Sequence, residues 1–517
     1  MKKFYFLALA ASVALSASAQ DVKTRAALAA GLSTETAEGK VTVNYTITGN
    51  TATAANLQLL DGETVVKTIE LTAIEQGAHS VELDLSDVAE GSYNYAIEVS
   101  SNVKGSEPVQ VYTRSIYSNY VYATGSNGTR TGITVFNDPQ SEYYGYAVAV
   151  NNAPQGYSAG VEFIAPDGTI TVYQKDTLLP LVTSHVSAYA RHDQVLISSW
   201  SDSGSGIYFL NMATPDKQPE QVFAGFRDSD GKFSNGGVAV GGSIGGMALS
   251  VDGTKLYTFD EEVNQNTANL YELGNAELTA ECIKTGPSWK SSFLVGGDPN
   301  AGASGAPDTP ITMSASVATA SSPDGIMVSV NRWANGTAWP GYIFWNPDKD
   351  AGVFFTSGDL FKSSGCGVAF NSDYTLFARM GYAGNDDEVT VHEVKWVTKA
   401  GMRIPEFGPA IYKIPSSTTF GQISFDAADN LYISNNKQGT STQYQYAVYA
   451  LPGKRTVTTP AKTSDVIKVA ASGLGNVTVE SENATPVYYN LQGVKVENPV
   501  NGVFIEVCGN KATKIVK

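Results

Sequence analysis

The sequence predicts an all-β protein, and its largest part is predicted to be a six-bladed β-propeller. Composition is the first observation, because the 517 residues include 50 glycines and 27 tyrosines, residue types that favour strands joined by tight turns. The second observation is a repeat in which a glycine precedes alternating apolar residues, a polar turn and another β-rich run. Its clearest copy is 421–436, GQISFDAADNLYISNN.

The period of this repeat is the third observation. Six copies start at positions 132, 185, 246, 316, 367 and 422, so successive starts are 53, 61, 70, 51 and 55 residues apart. A second pair of β-rich runs follows each copy, and four strands per period are typical of a propeller blade. We therefore expect six blades between 115 and 455, closed by a strand at 120–123 that pairs with the last blade.

The first 19 residues are typical of a cleaved signal peptide. A basic start, MKK, is followed by an apolar run at 4–15 that is too short to span a bilayer, and by the small residues ASA at 17–19. The first cysteine is Cys282, so no residue near the cleavage site would accept a lipid. We expect a secreted or cell-surface protein without a transmembrane segment.

The net charge argues against two classes of partner. Its formal value is −16, and removal of Lys2 and Lys3 with the signal peptide takes it to −18. An acidic surface repels phosphate groups, which disfavours nucleic acid and anionic membranes as partners. The three cysteines are odd in number, so we predict no disulfide framework.

Residues 20–112 are predicted to form an immunoglobulin-like or fibronectin-like β-sandwich. The strand pattern runs through 41–47, 57–60, 65–71, 81–85 and 93–99. The segment 91–99, GSYNYAIEV, resembles the late strand of bacterial modules of this type. Such modules are usually spacers or docking surfaces, and we assign no catalytic residue there.

The propeller is assigned to 113–457, and its repeat resembles those of the NHL and SMP-30/gluconolactonase-like propellers. The shared pattern is a glycine with alternating apolar residues, an Asp-Gly turn and a Leu-Tyr-Val-like run, and it covers about 115–455. The calcium-dependent lactonases of that group carry acidic and amide ligands in the central channel, often with a Pro-Asp-Gly segment entering an inner strand. Here the entries are Gly245-Gly246, 365–367 and Phe420-Gly421, which depart from that pattern.

After a linker at 458–465, residues 466–517 are predicted to form a small β domain. Its segments 489–493, 498–499 and 502–505 (YNLQG, NP and GVFI) resemble the C-terminal sorting domains of secreted proteins from Bacteroidetes-type bacteria. The resemblance implies that secretion machinery is a partner of this domain. A plain stabilising β module is the alternative, and both roles are compatible.

The repeat also predicts a binding site. In a propeller the loops that leave the second strands open on one face, and the residues there are hydrogen-bonding, charged and aromatic, which suits a polyhydroxylated ligand. For any single residue of this set, the alternative role is to cap a turn and to bond to water. We expect Arg332, Trp333, Arg379 and Asn435 to line one opening. The candidate ligand-binding residues are Trp200, Asp260, Asn331, Arg332, Trp333, Arg379, Tyr382 and Asn435.

Signals for catalysis and metals are weak. Asp228, Asp230 and Gly231 resemble the start of a calcium loop but lack its later acidic ligands, and 384–388 is an acidic turn. The four histidines have no zinc-ligand spacing. We assign no catalytic residue, no metal ligand and no cofactor, with calcium the one ion left open.

The predicted function is extracellular recognition of a glycan or another surface ligand. The first alternative is a calcium-dependent lactonase-like or lyase-like propeller enzyme, which would use carboxylates and amides of the same ring. The second is a structural or adhesive surface protein without a small-molecule site.

Overall fold

The computed structural model confirms an all-β propeller. It describes residues 24–517 apart from 38, 116–130, 152–159, 167–168, 175–184, 201–205, 218, 225, 228–232, 236–237, 240–243, 261–266, 273–282, 289–317, 335–336, 350, 357–366, 381–387, 416–420, 437–444, 470–484 and 509–510. The described part contains no helix that is long and apolar enough to cross a membrane.

The N-terminal strands form two sheets around one core. They are β1 (Ala29–Ala37), β2 (Lys40–Ile47), β3 (Ala52–Asp61), β4 (Thr64–Glu70), β5 (Gly77–Glu82), β6 (Gly91–Val103) and β7 (Val109–Ser115). The order β1-β2-β5 makes one sheet, and β6, β3 and β4 are neighbours in the other. Val43 on β2, Leu57 on β3 and Ile97 on β6 are fully buried in a shared cluster. This part is therefore a β-sandwich, and its immunoglobulin-like or fibronectin-like topology stays a prediction.

Within the described residues, six four-stranded antiparallel sheets follow as blades. Blade 1 contains β8 (Thr131–Val135), β9 (Ala147–Asn151), β10 (Gly160–Ile164) and β11 (Ile170–Gln174), and blade 2 contains β12 (His185–Arg191), β13 (Gln194–Trp200), β14 (Gly206–Asn211) and β15 (Glu220–Ala224). A small sheet of β16 (Phe226–Arg227), β17 (Phe233–Asn235) and β18 (Val238–Ala239) precedes blade 3, which contains β19 (Ile244–Leu249), β20 (Lys255–Asp260), β21 (Thr267–Glu272) and β22 (Ile283–Ser288). The repeat at 160 thus lies in blade 1 and forms no blade of its own, as predicted.

The remaining blades follow the same plan. Blade 4 contains β23 (Thr319–Ser322), β24 (Gly325–Ala334), β25 (Thr337–Asn346) and β26 (Ala351–Thr356), and blade 5 contains β27 (Val368–Phe370), β28 (Leu376–Met380), β29 (Glu388–Lys399) and β30 (Met402–Pro415). Blade 6 contains β31 (Ile423–Phe425), β32 (Asn430–Asn436) and β33 (Gln445–Ala450), and β7 is its fourth strand. The first strands of successive blades contact one another in a closed ring, β8, β12, β19, β23, β27 and β31, so they surround the central channel.

The strand that closes the propeller differs from the predicted one. The predicted segment 120–123 lies outside the described residues, and β7 instead pairs with β33, from Gln445 opposite Ser115 to Ala450 opposite Val109. Strand β7 comes soon after β6 of the sandwich. The strand that closes the ring therefore precedes all six blades in the sequence. Pairing with β7 removes the free edge that blade 6 would otherwise expose.

The chain after the propeller returns to the sandwich, which corrects two predicted boundaries. Strand β34 (Gly453–Pro460) pairs with β6 from Val103 to Ala96, and β35 (Ile467–Val469) pairs with β6 near Tyr93. The predicted linker at 458–465 therefore begins inside a strand, and the predicted domain at 466–517 begins with a strand of the sandwich. The 13-residue β6 extends past β3 and offers an edge that these strands cover. In the sequence, the propeller is thus inserted between two parts of one sandwich.

The turns between the first and second strands of each blade lie on one face, here called the lower face, where side chains of the turns and of the adjoining strand ends contact neighbouring blades. The contacts in chain order are Asp138 Oδ2 with His192 Nδ1 (3.2 Å), Arg191 Nε with Gly253 O (2.7 Å), Lys255 Nζ with Asp348 Oδ1 (3.8 Å), Arg403 Nη1 with Asp324 Oδ2 (2.8 Å) and Asn371 Nδ2 with Asp429 Oδ1 (3.0 Å). These contacts link blades 1 to 6 in sequence.

Arg25, which precedes β1, joins blade 6 back to blade 1. Its Nη2 donates to Tyr432 Oη at 2.5 Å and lies 3.3 Å from Asp426 Oδ2, both in blade 6. Its Nη1 donates to the carbonyl oxygen of Pro166 in blade 1 at 2.7 Å. Asn430 adds two contacts of 3.1 Å to the backbone of Ala26. Arg25 and Ala26 therefore complete the ring of blade contacts.

The C-terminal strands form a separate small sheet. They are β36 (Val487–Tyr489), β37 (Lys495–Val496), β38 (Val503–Cys508) and β39 (Lys511–Val516), in the order β37-β36-β38-β39. The predicted β character of this region is confirmed. Its role in sorting stays a prediction.

Candidate functional site

The predicted site residues lie at or near the ends of second strands, on the face opposite the lower face, here called the upper face. Trp200 and Asp260 end β13 and β20, and Asn435 is the next-to-last residue of β32. These residues belong to the strands themselves, although the sequence predicted loops. Because the first strands lie side by side and each second strand runs antiparallel to its first strand, these ends share one face. Tyr382 lies outside the described residues.

Blade 4 contributes a long hairpin to the upper face. Among the described residues, β23 pairs with β24 as far as Thr319 opposite Val328, and β24 and β25 pair as far as Arg332 opposite Trp339 and Trp333 opposite Ala338. Asn331, Arg332 and Trp333 therefore lie in a paired strand at the upper end of the blade. The sequence predicted a loop position for Trp333, and the structure places Trp333 and the neighbouring Trp339 in paired strands.

Among the predicted site residues, Arg379 is the one whose side chain is described, and it is buried. It lies in β28 between Val368 and Thr390 of the neighbouring strands, and 2% of the residue is exposed. The expectation that Arg379 is an exposed residue of a loop is therefore wrong. Hydrophobic side chains of blades 4 to 6 enclose β28 on both faces. The sequence repeat does not predict this burial, because it depends on how neighbouring blades pack.

A buried histidine lies beside Arg379. Burial is the main cause that lowers the pKa of His392, and the positive charges of Arg379 and Lys413 act in the same direction. His392 Nδ1 is 2.9 Å from the carbonyl oxygen of Gly408, and Nε2 is 2.9 Å from Thr390 Oγ1. A carbonyl oxygen accepts only, so Nδ1 carries the proton and Nε2 accepts from the threonine hydroxyl. His392 is thus a neutral imidazole with both nitrogens bonded.

Gln422 connects three inner strands across one side of the channel. Its Oε1 accepts from the backbone nitrogens of Ile133 (3.1 Å) and Ala188 (3.0 Å), and its Nε2 donates to the carbonyl oxygen of Ala188 at 2.8 Å. Its own backbone nitrogen donates to Ser434 Oγ at 2.8 Å. The inner edge of a first strand has no strand partner toward the channel, so the carboxamide satisfies groups that would otherwise need water.

Tyr189 and Thr319 make the corresponding contact on the other side. Thr319 Oγ1 donates to the carbonyl oxygen of Met247, and Tyr189 Oη lies 2.8 Å from Thr319 Oγ1, so the phenol donates to the threonine. Burial raises the pKa of Tyr189 to about 12, which keeps the phenol protonated. Ala190 N donates to Thr134 Oγ1 at 2.9 Å. We call Thr134, Tyr189, Thr319 and Gln422 the waist, because together they link blades 1, 2, 3, 4 and 6 around the channel.

The sequence repeat did not predict the waist, because the predicted site residues all lie at or after the ends of second strands. A polar residue such as Gln422 at the start of an otherwise apolar inner strand is the signal that could have identified it. The long reach of Tyr189 to Thr319 has no comparable signal, because the two residues are 130 positions apart.

The described residues hold no group of three or more His, Cys, Asp or Glu side chains that could bind a metal ion. The segment 228–231, which resembles the start of a calcium loop, and residues 384–387 of the acidic turn lie outside them. His79 Nε2 contacts the carbonyl oxygen of Glu75 at 2.6 Å. Cys508 is an exposed free cysteine, while Cys282 and Cys366 lie outside the described part.

No known protein family and no curated protein matches this sequence. Solved structures do match. A putative 6-phosphogluconolactonase from Bacteroides uniformis is 11% identical over 70% of this chain and 96% of its own, with a TM-score of 0.31. The polysaccharide lyase Uly1 is 10% identical over 78% and 98%, with a TM-score of 0.35. The β-propeller domain of the Trilobed protease from Pyrococcus furiosus is 8% identical over 59% and 90%, with a TM-score of 0.28. Likeness at this level concerns the fold alone.

Proposed function

We propose that this protein is a secreted or cell-surface propeller that binds a glycan or a similar polyhydroxylated ligand on its upper face. The observation that carries the proposal is the waist. Hydrogen bonds from Gln422 and Tyr189 occupy the channel side of the inner strands. These contacts span the channel from blade 6 to blade 2 and from blade 2 to blade 4, so a ligand on the upper face would rest against them, whereas an open channel would let it pass.

The residue types on the upper face support a sugar-like ligand. The second strands of blades 2 to 6 end in or near an indole, a carboxylate, an amide and guanidinium groups, among them Trp200, Asp260, Arg332 and Asn435. Amides and charged groups hydrogen-bond to hydroxyls, and aromatic rings stack on the apolar faces of sugars. An apolar ligand would leave many of these polar groups without partners.

A glycan array probed with the full-length mature protein tests the proposal. The variants Trp333→Ala and Asn435→Ala should lose binding to the glycans that the native chain retains. Val251→Ser is the matched control, because Val251 is 55% exposed in the blade 3 turn of the lower face. An array without signal, or equal loss in the control, would argue against the proposal.

The rival enzyme function has its own readout. A calcium-dependent lactonase-like or lyase-like enzyme would hold calcium after preparation without chelator and would turn over a lactone or a polysaccharide. Elemental analysis combined with turnover assays separates this outcome from binding alone. Calcium with turnover would displace recognition as the first function.

Export is the second part of the proposal. The signal-peptide pattern at 1–19 carries a chain across the inner membrane, and the YNLQG, NP and GVFI segments of the tail resemble a sorting signal for the next step. These segments begin at the end of β36, follow β37 and extend into β38, so a receptor would read one compact sheet. Cell fractionation after deletion of 486–517 tests this step.

A further inference from the structure

The C-terminal sheet is a single layer with little core of its own. In the described part of residues 485–517, Val507 is the one buried residue, at 8% exposure. The side chains of Tyr489 and Ile505 on one face and of Tyr488 and Phe504 on the other are half-buried. Sheets normally bury at least one face against another layer. This sheet therefore leaves apolar surface available to something outside it.

Four strongly exposed aliphatic side chains gather at one end of this sheet. Leu491 is 62% exposed, Val494 59%, Val500 72% and Val516 78%. Register explains why they gather. Tyr489 pairs with both Lys495 and Ile505, and Val503 pairs with Val516, so the turn at 490–494, the start of β38 and the end of β39 meet at the same end. Gly502, two residues after Val500, exchanges backbone hydrogen bonds with Lys517 there. We call these four residues the apolar end.

Positive charge surrounds the apolar end. Lys495 and Lys514 are exposed and belong to one row across the sheet with Tyr489 and Ile505. Adjacent to Val516, Lys517 places Nζ 3.9 Å from the centre of the Tyr488 ring. Residues 486–517 contain four lysines and two glutamates, which gives +2 for this segment in a chain of net charge −16. The tail is thus the basic part of an acidic protein.

We propose that the apolar end, flanked by Lys495, Lys514 and Lys517, is a docking surface for an anionic lipid surface. Aliphatic side chains enter the boundary between headgroups and acyl chains, while lysines at the same depth attract anionic headgroups. Protein interfaces are enriched in aromatic residues and Arg and depleted in Lys. The apolar end has the opposite composition, aliphatic residues with lysines, which favours lipid over a protein partner.

The acidity of the whole chain does not prevent this contact. Repulsion between the propeller surface and an anionic bilayer is screened over about 8 Å at physiological ionic strength. Only the charges close to the bilayer therefore decide the interaction. The exposed Glu497 follows Val496, which pairs with Tyr488 on the side away from the 490–494 turn. Even with Glu497 counted, three lysines against one glutamate leave the local field positive. The inference is independent of ligand binding on the upper face.

Co-sedimentation of the full-length mature protein with lipid vesicles tests the inference. Vesicles that contain phosphatidylglycerol should retain the protein, and pure phosphatidylcholine vesicles should retain it far more weakly. The double variant Leu491→Ser, Val516→Ser should lower partitioning by at least about tenfold. Lys495→Gln and Lys514→Gln should each lower it by about fivefold on anionic vesicles, with a smaller effect at high salt.

Val65→Ser, Val66→Ser is the matched control. Both valines are 46% exposed on β4, so the variant removes a similar aliphatic area from the sandwich and should partition as the native chain does. Thermal unfolding curves verify that every variant is folded. If the apolar double variant unfolds, the two lysine variants still decide the question.

Several results would overturn the inference. They are absence of sedimentation with anionic vesicles, equal sedimentation with neutral ones, unchanged partitioning of the apolar double variant, or equal loss in the control. A dimer that forms without lipid and is lost in Leu491→Ser, Val516→Ser would instead assign the apolar end to contact between two chains.

Discussion

Replacing Arg25 with methionine is expected to weaken the joint between blade 6 and blade 1. The Arg25 side chain is 2% exposed and that of Asp426 is 1% exposed, with Nη2 3.3 Å from Oδ2. The same guanidinium donates to the carbonyl oxygen of Pro166 and to Tyr432 Oη. Methionine has a similar length but removes the charge and these hydrogen bonds. Asp426 would then remain as a buried carboxylate without its counterion.

The magnitude follows from the contacts that Asp426 keeps. Its carboxylate still accepts from the backbone nitrogens of Ala428 (2.9 Å) and Asn430 (2.8 Å) and from Asn430 Nδ2 (2.8 Å). Removal of one partner of a buried ion pair costs about 3–5 kcal/mol, and the remaining donors favour the lower end, about 3 kcal/mol. The double variant Arg25→Met, Asp426→Asn leaves no buried charge, so its loss should fall to about 1–2 kcal/mol.

Urea unfolding of the mature chain, followed by tryptophan fluorescence, measures these free energies. Arg403→Met is the matched control, because Arg403 also joins two blades, through Asp324 at 2.8 Å, but its side chain is 56% exposed. We expect the control to lose no more than about 1 kcal/mol. The reasoning is refuted if Arg25→Met costs no more than the control, or if the double variant costs as much as both single variants together.

Four further predictions concern other parts of the molecule. Arg379→Met should destabilise the protein by at least about 2 kcal/mol in the same urea assay, because a buried residue of β28 is lost, and an unchanged midpoint would contradict its burial. Gln422→Ala should cost about 1–3 kcal/mol and speed hydrogen exchange at the Ile133 and Ala188 amides, whereas Gln140→Ala, which removes contacts at a more exposed site, should leave those amides protected. Burial raises the pKa of Asp429 from 3.8 to about 6, against the opposing effects of Arg455 and Asn371 and with smaller contributions from Asp373 and Asp426. The folded state therefore holds this proton more tightly than the unfolded state. The protonated carboxyl contributes about 3 kcal/mol to the free energy of unfolding below pH 3.8, and this contribution is lost as the pH rises through 6. Asp429→Asn, whose side chain suits the φ of 60° at this position, should thus gain stability relative to the native chain between about pH 4 and about pH 7, and equal differences at both pH values would contradict the burial argument. Deletion of 486–517 should leave the melting temperature unchanged but retain the protein in the periplasm on cell fractionation, whereas deletion of 466–517 should also destabilise the sandwich because it removes the fully buried Ile467. Normal export of the protein that lacks 486–517 would contradict the sorting proposal.

The sequence by itself determined the blades. Each inner strand pair is local, as in β31 and β32, where Phe425 pairs with Leu431 across a turn of a few residues. Alternating apolar residues and turn chemistry are enough to specify such a pair, since no distant segment takes part. The repeat then specifies the blade number, because a stack of blades must close on itself to bury its faces. The common face of the second-strand ends follows from the same geometry.

Only the tertiary structure decided which distant segments cover the free edges. The outer edge of blade 6 takes β7, and the edge of β6 takes β34 and β35, although several β-rich segments of this chain have suitable patterns. Burial of Arg25 and Arg379 depends on neighbours hundreds of positions away or in adjacent blades, as with Arg25 and Asp426 at a separation of 401 residues. A residue carries its own hydrogen-bonding and apolar character in the sequence, but its burial depends on which other elements pack against it. That packing is a property of the closed ring as a whole, and local patterns do not encode it.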